Sequence, residues 1–178
     1  MDIRKNFDEH YFLNPGQLIV TSKEMPVVTI LGSCVAITVF SPEKKTGAIF
    51  HALLPEHRHK SKVISNSPPV SPDSDYVDYA FYYVLEKFRQ KGINLKTAKF
   101  MLFGGGDVIN SLSSSGARTS IGFQNIKMAK KLIQEEGISL HGEDVGGKNG
   151  RKLIFLPHEG KVYLEYLNNE NFAAIKGK

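Results

Sequence analysis

The sequence predicts a mixed α/β sandwich in which helices cover a sheet. Short segments rich in β-branched residues dominate the N-terminal half and return near the C-terminus, and two long segments with helical periodicity lie between them. The length of 178 residues suits a single domain with a full core, expected over about residues 17–167 between polar tails. Together these observations favour one α/β domain.

Four segments in the N-terminal part of the chain are predicted to be strands. The third and fourth are joined by a short polar turn, so they are expected to pair antiparallel. Pro55 closes the fourth strand, and a polar, proline-rich loop is expected over residues 56–74. The strands are Gln17–Ser22, Pro26–Leu31, Cys34–Phe40 and Gly47–Pro55.

Two helices follow from the apolar periodicity. The first is expected over Asp75–Ile93, capped by Ser74 or Asp75 and ended by Gly92, and the second over Gln124–Ile138. The remaining elements are a strand at Ala98–Gly106 that runs into a glycine loop, a strand and turn at Ser139–Gly150, and a hairpin over Arg151–Leu167.

The composition limits the class of protein. No apolar stretch has membrane-spanning length, the N-terminus has no apolar signal core, and the single cysteine excludes an internal disulfide. We therefore expect a cytoplasmic protein. The net charge of +5 is spread along the chain, which signals nucleic-acid binding only weakly and equally suits an acidic protein partner.

Cys34 opens the third strand and His51 lies in the fourth. If the residue numbers of each pair of facing residues in this hairpin add up to 85, Cys34 and His51 face each other, with Cβ atoms about 4.5–5.5 Å apart. A sum of 87 makes them diagonal neighbours on the same face, whereas an even sum puts them on opposite faces. Two of the obvious registers therefore assemble a Cys–His pair.

Such a pair supports acyl-transfer chemistry. A neighbouring imidazolium lowers the pKa of a thiol from about 8.5, so that thiolate exists at neutral pH. Gly32 allows close approach of the backbone to a ligand, and N–H groups around Ser33 and Cys34 are candidates to bind a developing oxyanion. The alternative is a small buried cysteine beside an inert histidine.

The chain resembles the CheD family of bacterial chemoreceptor glutamine deamidases. Five motifs carry the resemblance from about Val20 to Leu167 in the family's order. They are LGSCVAITVFSPEKKTGAIFHALLP, YVDYAFYYVLEKFRQKG, AKFMLFGGGDVI, SIGFQNIKMAKKLI and EDVGGKNGRKLIF. The resemblance implies an α/β/β sandwich with two long helices packed on mixed, mostly antiparallel sheets.

The resemblance also implies the roles of individual residues. Cys34 falls on the family's nucleophile and His51 on its general base. Thr29 is the nearest candidate for a threonine that orients the histidine, although it lies one residue closer to the cysteine than in some members, and Val28 occupies the strict spacing. The implied reaction is hydrolysis of glutamine side-chain amides on chemoreceptor helices, without metal or cofactor.

Further implications concern esters and partners. Some members of the family also hydrolyse glutamate methyl esters, and some bind the phosphatase CheC. A non-catalytic adaptor that binds a receptor or a CheC-like phosphatase is the competing function. The intact Cys34–His51 pair favours the enzyme, since an adaptor would need neither residue.

The loop after the His51 strand offers a basic cluster. We expect Arg58, Lys60 and Lys62 to help dock an acidic receptor helix, with a solvated loop that binds nothing as the alternative. His57 and His59 form an H-x-H pair that lacks a third metal ligand nearby, so a metal site is not expected there.

Overall fold

The computed structural model describes residues 9–56, 72–108 and 120–167, and these ranges form three layers. Two helices cover one face of a five-stranded sheet, and a four-stranded sheet covers its other face. The predicted α/β/β sandwich is therefore confirmed. The strands are β1 Tyr11–Phe12, β2 Leu18–Thr21, β3 Val27–Leu31, β4 Val35–Ser41, β5 Thr46–Ala52, β6 Lys99–Gly104, β7 Leu140–Val145, β8 Gly150–Leu156 and β9 Lys161–Leu167; the helices are α1 Val77–Gln90 and α2 Ile121–Glu135.

Both sheets are mixed and mostly antiparallel. The larger has the order β2-β5-β4-β6-β7 and the smaller β1-β3-β8-β9; β1 runs parallel to β3 and β6 runs parallel to β7, and the other pairs are antiparallel. The short strand β1 was missed in the sequence because two residues are too few to show a period.

The hydrophobic core lies on both sides of the larger sheet. All residues of its central strands β4 and β5 are buried, as their continuous apolar character predicts. One face of this sheet packs on α1 and α2, for example through Ile37 and Phe50. The opposite face packs on the smaller sheet, where Ala36 and Ile49 contact the cluster that contains Leu153. Side chains that alternate along β4 and β5 thus enter two separate interiors.

The helix ends differ in how well the sequence predicts them. Helix α1 is preceded by Tyr76 without a side-chain cap, so the predicted capping by Ser74 or Asp75 is wrong; both lie instead in a 3₁₀ turn over Pro72–Asp75. Gly92 ends α1 as predicted, with φ +67° and a hydrogen bond from the Ile93 N–H to the Phe88 carbonyl.

Helix α2 begins three residues before its predicted start. Ser120 caps it, since its hydroxyl oxygen accepts a hydrogen bond of 3.2 Å from the Phe123 N–H. The helix therefore begins at Ile121, and Gly122 lies in its first turn against the Gly105 carbonyl, where a Cβ atom would come within 2.5 Å of the oxygen. This close approach places the N-terminal end of α2 beside the glycine loop that follows β6.

Neither α1 nor α2, the helices of the described ranges, has the length and hydropathy needed to cross a bilayer. The predicted docking residues Arg58, Lys60 and Lys62 lie outside the described residues, as do His57 and His59.

Candidate active site

Strands β4 and β5 bring Cys34 and His51 to the same face of the larger sheet. The observed register pairs Ala36 with His51 and Val35 with Ala52, so paired positions sum to 87. This is the second of the two predicted registers, and Cys34 lies diagonal to His51, immediately before the first residue of β4. The face they share is the one that packs on the smaller sheet, because Cys34 contacts the same cluster as Ile49.

Thr29 reaches His51 from the facing sheet. Its Oγ1 lies 2.7 Å from His51 Nδ1 and donates a hydrogen bond of 2.7 Å to the Leu13 carbonyl. Thr29 is fully buried and lies on the inner face of β3, the same face as Val27 and Leu31. Of the two sequence positions considered for this threonine, Thr29 is thus the one whose side chain contacts the imidazole.

The hydrogen bonds of Thr29 fix the tautomer of His51. A hydroxyl has one hydrogen, and because the Leu13 carbonyl can only accept, that hydrogen is donated to it. The Thr29 oxygen must then accept from Nδ1–H of His51. In neutral His51 the other nitrogen, Nε2, is consequently unprotonated and able to accept a proton.

Burial keeps this imidazole neutral. His51 is 1% exposed, and desolvation lowers its pKa to about 4, with the Leu13 carbonyl acting in the opposite sense. Nε2 is buried and has no hydrogen-bond partner within the described part of the chain. At neutral pH the residue is therefore a base whose acceptor nitrogen is not engaged. Neutral His51 does not carry the positive charge that would stabilise a Cys34 thiolate; it would gain that charge only when it accepts a proton during a reaction.

The backbone around Cys34 is held by the glycine loop after β6. The Gly105 N–H donates to the Cys34 carbonyl at 2.7 Å, and the Gly106 N–H donates to the Gly32 carbonyl at 2.8 Å. Gly104 has φ +99°, and a Cβ atom there would lie 2.3 Å from the Cys34 oxygen. The glycines of this loop thus permit backbone contact with the cysteine segment, which explains the FGGG run in physical terms.

A buried arginine supports the loop on its other side. Arg151 donates to Asp144 Oδ1 at 2.6 Å, to the Gly146 carbonyl at 2.7 Å and to the Asn149 carbonyl at 3.1 Å. Partial burial raises the pKa of Asp144, but hydrogen bonds from Tyr166 and Arg151 outweigh that effect and the net pKa is lowered. The Gly146 N–H in turn donates to the Gly104 carbonyl at 2.9 Å, which links this cluster to the glycine loop.

Sequence reasoning missed one residue that contacts the site. Asn125, quoted only as part of a motif, is completely buried on α2. Its Nδ2 donates hydrogen bonds to the Ser33 carbonyl at 3.0 Å and to the Leu53 carbonyl at 2.9 Å. The signal that could have found it is its position four residues before Ala129 on the buried helix face, where a polar residue needs internal partners.

The other sequence-predicted site residues are placed as follows. Gly32 is buried and Ser33 half-buried in the turn between β3 and β4, directly before Cys34. Within the described ranges, three or more His, Cys, Asp or Glu side chains nowhere gather into a group that could hold a metal ion. Chemically, the arrangement offers a thiol, a neutral base on the same sheet face and a threonine that orients that base.

Comparison with known proteins identifies the family to which this chain belongs. A family model described as CheD chemotactic sensory transduction matches residues 53–166. The probable chemoreceptor glutamine deamidase CheD 2 of Geobacter sulfurreducens is 36% identical over 162 residues, which cover 89% of this chain and 91% of that protein.

Two further relatives carry the name probable chemoreceptor glutamine deamidase CheD. The protein of Maridesulfovibrio salexigens is 36% identical, over 90% of this chain and 94% of its own. That of Oleidesulfovibrio alaskensis is 33% identical, over 90% of this chain and 74% of its own. The family model spans more than half of the chain and these relatives match along most of their length, so the chain belongs to the CheD family.

Proposed function

We propose that this protein is a cysteine amidohydrolase that deamidates glutamine side chains of chemoreceptors to glutamate, in the cytoplasm, and thereby tunes chemotactic adaptation. The relatives' names supply the substrate class. The observation that carries the proposal is the Thr29–His51 hydrogen bond, because it leaves Nε2 of a buried neutral histidine as a proton acceptor on the sheet face of Cys34.

The first half of the proposed reaction forms a thioester. His51 Nε2 takes the proton of the Cys34 thiol as the sulfur attacks the side-chain carbonyl carbon of the glutamine. Backbone N–H groups next to Gly32 and Ser33 are the proposed donors to the oxyanion of the tetrahedral intermediate. The imidazolium then protonates the amide nitrogen, the C–N bond breaks and ammonia leaves.

The second half restores the enzyme. His51 takes a proton from water as the water oxygen attacks the thioester carbon, and the C–S bond breaks. The proton returns to the Cys34 sulfur and glutamate remains on the receptor. A glutamate methyl ester would follow the same route with methanol as the leaving group, and we propose methyl-ester hydrolysis as a second activity of the same site.

The resting geometry is compatible with this sequence of steps. Nε2 has no hydrogen-bond partner among the described residues before substrate is bound. In enzymes without bound substrate, catalytic hydrogen bonds are often long, and they shorten in the substrate complex. Thr29 would hold the ring orientation throughout, because its hydroxyl accepts from Nδ1–H in both the neutral and the protonated imidazole.

Two finer proposals concern binding. We infer from the sequence that Arg58, Lys60 and Lys62 dock the acidic receptor helix, and from the family resemblance that a CheC-like phosphatase is a second partner. A pull-down with a purified CheC-like phosphatase tests the second partner. It compares capture of the parent protein with capture of the same protein after alkylation of Cys34. Equal capture by both forms would show that binding does not involve the active-site region.

Mass spectrometry of a co-expressed receptor cytoplasmic domain tests the proposed activity. The parent protein should convert specific glutamines to glutamate, and Cys34→Ala should lower the rate by about 10⁴- to 10⁶-fold, as expected when a nucleophile is removed. Ser41→Ala, at the opposite end of β4, is the matched control, since it also removes one heavy atom from this strand while keeping the thiol and its surroundings. Near-parental deamidation by Cys34→Ala would overturn the proposal and favour an adaptor.

A further inference from the structure

Asn125 is a polar residue on the buried face of a helix. It is 0% exposed, and the other buried residues of α2 beyond the first turn are apolar: Ala129, Leu132 and Ile133. Buried amides in such a position need internal hydrogen-bond partners to offset their desolvation.

The partners of Asn125 are the two backbone segments that carry the proposed nucleophile and base. Its Nδ2 donates one hydrogen bond to the carbonyl of Ser33, the residue directly before Cys34. It donates the other to the carbonyl of Leu53, two residues after His51. Both amide hydrogens are thus used, one on each segment.

These two contacts occur where the β4–β5 ladder has already ended. The last pair of the ladder on this side is Val35 with Ala52. Continuing the same register would put Cys34 opposite Leu53, but that pair lies outside both strands. Asn125 therefore connects the two segments at the position where strand pairing no longer does.

The orientation of the amide is determined by its surroundings. A rotation that exchanged the nitrogen and oxygen would direct Oδ1 at two carbonyl oxygens, so Nδ2 is the atom that faces them. Oδ1 is then buried and has no hydrogen-bond partner within the described residues. An apolar side chain would avoid this cost, so packing alone does not account for an amide here.

We propose that Asn125 is a positioning residue for the deamidation reaction, which sets the Cys34 segment against the His51 strand through its bonds to Ser33 and Leu53. The Ser33 carbonyl and the Cys34 N–H belong to one planar trans peptide, so the bond to this carbonyl also fixes the direction of that N–H. The proposal rests on the cysteine–histidine function proposed above.

The test compares three variants with the parent protein. Asn125→Asp keeps the size of the side chain but removes both donated hydrogens, and Asn125→Leu removes them without adding charge. Leu132→Ala is the matched control, because it weakens the packing of the same helix seven residues after Asn125 and leaves the Asn125 amide in place. For each protein we would measure the melting temperature, the pH profile of iodoacetamide alkylation of Cys34, and kcat and KM on a receptor fragment well below the melting temperature.

We expect Asn125→Asp and Asn125→Leu to lower kcat by about 10- to 100-fold, with KM within about twofold, because a misplaced reacting group costs rate rather than binding. Their alkylation profiles should also shift relative to the parent. Leu132→Ala should lower the melting temperature and leave the alkylation profile unchanged. A parental kcat and alkylation profile in either folded Asn125 variant would overturn the proposal, and so would failure of both to fold, which would assign Asn125 a purely structural role.

Cys34→Ala measured in parallel separates this inference from the proposed function. If Cys34→Ala is inactive and a folded Asn125 variant is fully active, only the positioning role fails. If Cys34→Ala still deamidates the receptor, the proposed function fails, whatever the Asn125 variants do.

Discussion

Thr29 and His51 lie on different sheets and are joined across the sandwich by a hydrogen bond of 2.7 Å between Oγ1 and Nδ1. The bond ties the proposed base to the smaller sheet, whereas the strand that carries it belongs to the larger sheet. Because the Leu13 carbonyl takes the hydroxyl hydrogen, the contact also selects the tautomer in which Nε2 accepts a proton. The packing of the two sheets thus orients the imidazole of the proposed base.

Thr29→Val should impair catalysis without changing the size of the side chain. Without the hydroxyl, neutral His51 is free to carry its proton on Nε2, where it cannot accept one from Cys34. We expect kcat for receptor deamidation to fall by about 10- to 100-fold, the effect seen when metal-binding histidines lose the hydrogen-bond partner that orients them. We also expect a loss of about 1–3 kcal/mol in the free energy of unfolding, since buried polar atoms lose their partner.

Thr29→Ser is the control for this experiment. It keeps the hydroxyl and removes only a methyl group, so it should retain most of the activity while losing some packing. Steady-state kinetics and urea unfolding of both variants provide the comparison. A Thr29→Val enzyme as active as Thr29→Ser would show that the hydroxyl does not orient the base.

His51→Ala should slow the alkylation of Cys34 by iodoacetamide at neutral pH. In the parent, neutral His51 accepts the thiol proton as the sulfur attacks, so the protonated thiol should also react; without this base the rate should follow the thiolate alone, with an apparent pKa near the value of about 8.5 for an isolated thiol. The shared sheet face of the two residues is the structural basis for this expectation. The rate of alkylation from pH 6 to 10, followed by mass spectrometry, gives both profiles.

Two further variants make the alkylation experiment specific. His51→Asn offers an amide near the position of Nδ1–H but no base at Nε2, so it should behave like His51→Ala with a smaller packing defect. His158→Ala removes an imidazole in the β8–β9 turn, where it pairs with Glu159, and should leave the profile unchanged. Identical profiles for the parent and both His51 variants would mean that Cys34 and His51 are not coupled.

The sequence predicted those parts of the site that depend on local geometry. A short turn between two strands limits the register to a few choices, and the parity of the paired sum decides whether Cys34 and His51 share a face. The observed sum of 87 is one of the two favourable choices. The deep burial of His51 also follows from its place in a continuous apolar strand.

Contacts between distant elements could not be obtained in the same way. Thr29 meets His51 only because two sheets pack face to face, which no local period encodes, and the sequence suggested this residue through family resemblance alone. Asn125 was missed because α2 was expected to begin at Gln124. With the helix beginning at Ile121, Asn125 lies a full turn inside it and reaches Ser33, 92 positions earlier in the chain.

Neutralising Arg58, Lys60 and Lys62 together should raise KM for the receptor and flatten its dependence on salt. The segment that carries them follows β5, the strand of His51, in the sequence, and charges at the rim of an interface mainly affect association, with screening over about 8 Å at physiological ionic strength. kcat and the alkylation of Cys34 should hardly change. Kinetics on a receptor fragment at several salt concentrations measure these effects.

A triple variant of Lys44, Lys91 and Lys96 provides a control of equal charge change. All three are exposed, and Lys44 lies in the β4–β5 turn, at the opposite end of that hairpin from Cys34. If both triple variants raised KM equally, the effect would come from net charge rather than from docking by Arg58, Lys60 and Lys62. If neutralising these three residues instead lowered kcat at saturating receptor, they would belong to the catalytic machinery and the docking proposal would fail.

Acid should destabilise the protein through His51. In the folded state burial holds the pKa of His51 at about 4, whereas in the unfolded chain it returns to about 6.5. Between these two values the unfolded state binds a proton that the folded state does not, so the free energy of unfolding rises with pH across this window. The stability is complete above about pH 6.5 and is lost progressively as the pH falls toward 4, by about 3 kcal/mol in total.

Urea unfolding of the parent and of His51→Asn between pH 4 and pH 8 isolates this contribution. Carboxylates such as Asp144, whose pKa is lowered in the folded state, also cost stability in acid, but they do so in both proteins and cancel in the difference. We expect the stability advantage of the parent over the variant to shrink by about 1–3 kcal/mol from pH 7 to pH 4.5. An advantage that stayed constant over this range would show that the imidazole titrates normally in the folded protein, and the neutral-base mechanism would then lose its electrostatic support.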